Sequence, residues 1–83
     1  MKLSLRDKVV RVEFRKMRQN DGLSEPGLIT IDPRLRAKPR LEVFIHEMLH
    51  QVQPDMDETV VTDIARDFAV ALWEDGYRQV KDT

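Results

Sequence analysis

The sequence predicts an α+β domain built from a short two-stranded β element followed by an antiparallel helix hairpin. Three observations predict it. Residues 8–15 alternate apolar and polar side chains, two later segments carry apolar residues at helical spacing, and only about five residues separate those segments. At 83 residues the chain is expected to be a single domain over 1–83, near the lower size at which one core sustains itself, so a bound metal would contribute materially to folding.

Taken in order, Val10, Val12 and Phe14 fall on one face of the first strand, and Val9, Arg11 and Glu13 on the other. Residues 18–27 hold Asn20, Asp21, Gly22, Ser24, Pro26 and Gly27, a composition that reads as a loop. The β-branched run Ile29, Thr30 and Ile31, stopped by Pro33, predicts a second, short strand over 28–32, placed at a sheet edge. Pro39 suits the first turn of a helix over about 40–51, because its missing amide proton would have been unpaired there. Asp57 is placed to cap a second helix running to Asp75, with Gly76 as its C-terminal cap and Val60, Val61, Ile64, Ala65, Phe68, Ala71 and Leu72 as its apolar stripe. Phe14, Phe44 and Phe68 all fall in apolar register and are expected in the core.

The first helix has two tasks. Leu41, Phe44, Ile45, Met48 and Val52 share one side, while His46 and His50, the only histidines of the chain, share the opposite side. Residues 46–50 read His-Glu-Met-Leu-His, the signature of a helical zinc site with a general base built in. Positions four apart lie one turn apart, so the two imidazoles can meet at one ion. Glu47 stands about 100° round the helix, too far to share the metal comfortably but within reach of a water beside it.

With no cysteine and no third histidine, a Zn2+ ion must take a carboxylate as its third ligand. Asp57, Glu58, Asp63 and Asp67 are the candidates. Asp57 and Glu58 lie in the first turn of the second helix, where capping and the helix dipole already explain an acid. Asp63 and Asp67 are four apart at the border of the apolar stripe, where an unpartnered carboxylate would be costly. The assignment expected here is Asp63 on the metal, with Glu58 and Asp67 as alternatives, and Asp67 in the outer shell accepting a histidine N–H. Solvation of Asp63, or its pairing with Arg66, is the competing explanation.

The motif of His46, Glu47 and His50, followed by Asp63-Ile-Ala-Arg-Asp67, resembles the zincin metallopeptidases of the gluzincin-like branch, in which a His-Glu-x-x-His helix precedes a helix carrying an acidic ligand. The resemblance covers about residues 28–77, with an aspartate where that branch has glutamate and a short gap after His50; the chain is also similar to very small zincin-like proteins of bacterial and phage genomes. It implies a minimal zincin-like fold and zinc-dependent hydrolysis of peptide bonds, with Glu47 as general base and the strand over 28–32 holding substrate at its edge. Tyr77 is a candidate oxyanion stabiliser, though with Trp73 it equally suits anchoring the second helix. The alternative is a zinc-stabilised protein-binding or regulatory domain with little or no turnover.

Fourteen basic and fifteen acidic residues leave a formal charge of -1, which gives no global attraction for nucleic acid. Arg34, Arg36, Lys38 and Arg40 form a local basic stretch, expected to be solvated loop. The resemblance makes a peptide or protein the expected partner. The first ten residues lack a continuous apolar run, so neither signal peptide nor membrane span is expected, and the expected location is cytoplasmic.

Overall fold

The computed structural model describes residues 1–80. Four strands and two helices follow in the order β1 (Lys2–Leu5), β2 (Lys8–Phe14), β3 (Gly22–Glu25), β4 (Leu28–Ile31), α1 (Ala37–Val52) and α2 (Glu58–Glu74). The class is α+β, as the sequence predicts, but the sheet has four strands in the order β1-β2-β4-β3 where two were expected. β2 and β4 run parallel, and the two outer pairs are antiparallel.

β1 arises from the alternation of Leu3 and Leu5 with Lys2 and Ser4, and both leucines pack against the sheet core. Its turn onto β2 is made by Arg6 and Asp7, both at positive φ (49° and 66°). That left-handed pair has the twist a two-residue hairpin needs, at a cost of roughly 1 kcal/mol for each non-glycine residue. Burial of the two leucines offsets it.

The strand over 28–32 is not an edge. β4 lies between β2 and β3, with Ile29 and Ile31 fully buried. The reason is the connection over residues 15–21, which carries the chain past the end of β4 so that β3, read from sequence as loop, pairs on its outer side. Asp32 fixes this crossing. Its carboxylate accepts from Met17 N (3.1 Å), Arg34 N (2.9 Å), Arg34 Nε (3.0 Å) and Arg34 Nη2 (2.6 Å), while its own amide donates to the Asp21 carbonyl at 2.9 Å.

The Arg34 guanidinium and the two amides hold the Asp32 carboxyl well below the usual carboxylate range. A depressed folded-state value means stability that is fully present above the unfolded value of about 4 and is lost as pH falls below it. The thermal midpoint is therefore expected to drop as pH is lowered beneath about 4. In Asp32→Asn, circular dichroism melts should show a lower midpoint at neutral pH and a flatter decline in acid. An unchanged profile would remove Asp32 as the pin of the crossing.

α1 packs on the sheet and α2 packs chiefly on α1. Phe44 and Met48 meet Val10, Val12, Ile29 and Ile31, and Leu41, Ile45 and Leu49 meet Ala65, Ala69 and Leu72. The helices end as their sequence predicts: Asp57 Oδ1 accepts from Thr59 N at 2.8 Å, and Gly76 adopts φ 90°. α1 starts earlier than expected, at Ala37, with no side-chain cap.

The buried face of α2 is Val61, Ala65, Ala69 and Leu72, so the stripe is rotated from the one expected; Val60 and Phe68 are exposed by 46% and 56%. Small alanines at the contact let the helices approach closely, which leaves Phe68 outside. Phe14 is likewise 41% exposed, beneath the Arg40 guanidinium at 4.6 Å, so of the three phenylalanines only Phe44 joins the core. The basic stretch is thereby divided: Arg34 serves Asp32, Arg40 covers Phe14, and Arg36 and Lys38 face solvent. Among the described residues no helix is long and apolar enough to cross a membrane.

Candidate metal centre

His46 and His50 project from α1 on the side away from the sheet core, their rings edge to face with centroids 4.9 Å apart. The residue that meets them is Glu58, in the first turn of α2: Oε1 lies 2.8 Å from His46 Nε2, and Oε2 lies 2.9 Å from His50 Nε2. One ligand atom from each of the three falls within 4.8 Å of the others, a group that could hold a metal ion.

Tetrahedral zinc with ligand bonds of about 2.0–2.2 Å sets neighbouring donors about 3.3 Å apart, so an ion would need only a small withdrawal of the carboxylate. Glu58 is free to make it, because its side chain is 65% exposed while the imidazoles are 21% and 25% exposed. Two imidazoles and one carboxylate are a donor set that suits zinc.

Asp63 and Asp67 are not part of this group. Asp63 pairs with Arg66 at 2.9 Å and Asp67 approaches the same guanidinium at 3.7 Å, all on the exposed side of α2. The physical reason is azimuth. Taking Val61 as origin, Leu72, Ala65 and Ala69 lie within about 80° and Glu58 falls at about 60°, inside the arc facing α1, whereas Asp63 and Asp67 lie at about 200° and 240°. Counting Val60, Phe68 and Ala71 as core shifts the apparent stripe toward Asp63 and Asp67, the acids that stand away from the histidines. Asp57 alone caps the helix, which leaves Glu58 surplus to capping, and that was the legible signal.

Glu47 turns toward β3 and is only 8% exposed. Burial raises its carboxyl above the ordinary glutamate value, against the lowering effect of His46 and His50, with Glu58 adding a smaller upward push. β3 comes close to it because Gly22 has no side chain: a Cβ there would stand 2.6 Å from Val43 Cγ1 and 3.0 Å from Glu47 Oε2. The glycine that reads as a loop-breaker thus permits helix and strand to form one wall.

Gln51, the residue after His50, was not singled out from sequence and holds the other end of β3. Its Nε2 donates to Ser24 Oγ (2.7 Å), the Glu25 carbonyl (2.6 Å) and the Leu28 carbonyl (3.3 Å), and its Oε1 accepts from Gly27 N (3.3 Å). Together Gly22 and Gln51 set the height of the edge strand beside the histidines. Between β3 and α1 opens a cleft of about 770 Å³ lined by His46, Glu47, His50, Gln51 and Glu58.

Tyr77 does not reach it. The residue is 61% exposed and lines a separate groove with Phe44, Trp73 and Arg78, where the Arg78 guanidinium lies 3.4 Å from the Trp73 ring centre. The oxyanion role expected for Tyr77 therefore has no support in its position. Comparison of the chain with known protein families, curated proteins and solved structures finds no match.

Proposed function

We propose that the chain is a zinc-dependent metallopeptidase of minimal zincin-like fold. The observation that carries this reading is the convergence of His46, His50 and Glu58 beside the buried carboxylate of Glu47, at the foot of an open cleft. His46, His50 and Glu58 would hold the ion. When bound there, zinc supplies Lewis acidity and brings a water in its open position toward a pKa of about 7.

Glu47, beside the ligands, would take a proton from the water that attacks the scissile carbonyl and would return it to the amine as the C–N bond breaks. The products are a carboxylate and an amine, and water is the only co-reactant. β3 takes the part that the sequence reading gave to residues 28–32: its outer edge is unpaired among the described residues, so an extended peptide can add alongside it. Gln51 and Gly22 position that edge.

A second reading has an observation of its own. The three ligands join α1 to α2, and α2 packs chiefly on α1, so an ion there would staple the helix hairpin whether or not turnover occurs. Purified protein loaded with one equivalent of zinc and incubated with a mixed peptide substrate separates the two. Cleavage that stops on chelation and returns with zinc is the expected result; a chelator-sensitive melting temperature without any cleavage would favour the staple.

A further inference from the structure

The walls of the cleft carry more than the zinc ligands and Glu47. Asp21, Glu25 and Glu42 also line it, and apart from the histidines Lys8 is the only basic side chain there among the described residues. Lys8 belongs to the end near the β3–β4 turn, since Arg11, three residues on, donates to the Gly27 carbonyl. Asp21 and Glu42 belong to the opposite end. Glu42 precedes His46 by one helical turn, and Asp21 immediately precedes Gly22, the point of closest approach between β3 and α1.

Neither carboxylate takes part in an ion pair among the described residues, although Lys38 stands one turn before Glu42. The place of Asp21 is built rather than loose, because its carbonyl accepts from the Asp32 amide at 2.9 Å and Asp32 is clamped by Arg34. Independently, Glu47 is a carboxylate more than nine-tenths buried that lines the same cleft and has no hydrogen-bond partner among the described residues. A buried carboxylate without a partner calls for a cationic or proton-donating occupant, and Asp21, exposed, and Glu42, half-buried, add negative charge at that end of the cleft.

We infer that the cleft selects peptides bearing a lysine or arginine, whose side chain occupies the Asp21–Glu42 end. The inference rests on the peptidase reading of this cleft and names its substrate class. One helical turn from Glu42 to His46 is about 6 Å along the axis, the span of about two residues of extended peptide. The basic residue therefore stands two positions from the cleaved bond, always on the same side of it. Acidic residues at that position are excluded by like charge.

The test uses the zinc-loaded full chain and a set of otherwise uncharged decapeptides in which one lysine is moved along the sequence, each with glutamine and glutamate counterparts, with cleaved bonds read by mass spectrometry. The cut is expected to move with the lysine at a fixed offset of two, with kcat/KM about tenfold or more above the glutamine counterpart. In Glu42→Gln combined with Asp21→Asn, that advantage falls to within about twofold, through KM, while zinc stoichiometry and the circular dichroism spectrum are kept. Cleavage indifferent to the lysine overturns this inference and leaves the peptidase standing. No cleavage of any peptide by fully loaded protein overturns the peptidase reading and this inference with it.

Discussion

Glu58→Ala lowers zinc affinity by about a hundredfold or more, whereas Asp63→Ala leaves it within about twofold. The contrast follows from geometry alone. Glu58 presents one oxygen to each imidazole at 2.8 and 2.9 Å, while Asp63 is engaged with Arg66 on the far side of α2. Removing a ligand also removes the negative charge that compensates a divalent ion, so the loss exceeds the ten- to hundredfold typical of an outer-shell partner. Competition titration against a chromophoric chelator measures both variants. Equal affinities, or a larger loss in Asp63→Ala, would mean that the site is assembled around another carboxylate.

Glu47→Gln abolishes peptide cleavage, by about 10²–10⁴-fold, with zinc affinity little changed. Glutamine keeps the shape of the side chain in its buried place beside Gly22 but cannot accept the proton of the attacking water. Glu47 makes no contact with the three ligands of the kind that Glu58 makes, so the ion should stay. Since glutamine also relieves a buried acid of its desolvation, the variant is expected to melt at the same temperature or higher. Loss of zinc together with activity would assign Glu47 to the metal, and full activity would remove it from the chemistry.

How much of this was legible depended on which physical signal each element carries. Both helices and the His46–His50 site follow from periodicity and spacing, and Asp57 and Gly76 mark α2 as their chemistry predicts. β3 was hidden because Gly22, Leu23, Ser24 and Glu25 hold a single large apolar residue; its order comes from pairing with β4 and from the Gln51 side chain, both distant in sequence. β1 was hidden by its turn, since Arg6 and Asp7 adopt left-handed backbone without the glycine or asparagine that usually announces it.

Glu58 was within reach of the sequence. It lies on the α1-facing arc with Val61, Ala65, Ala69 and Leu72, but that arc is recognised only once the two alanines, and not Phe68 and Val60, are taken as the contact. A large apolar side chain is a poor marker of a tight helix–helix contact, because close approach favours small ones. The same lesson applies to Gly22, whose lack of a side chain, rather than its flexibility, brings the edge strand to Glu47.

His46, His50 and Glu58 are proposed to hold one zinc ion with a position left open. X-ray absorption at the zinc edge on protein loaded with one equivalent tests it most directly. Four light-atom neighbours are expected at about 2.0–2.2 Å, two of them imidazole nitrogens, with a carboxylate oxygen that disappears from the shell in Glu58→Ala. A shell of six oxygens without imidazole, or a shell unaltered by Glu58→Ala, would contradict it.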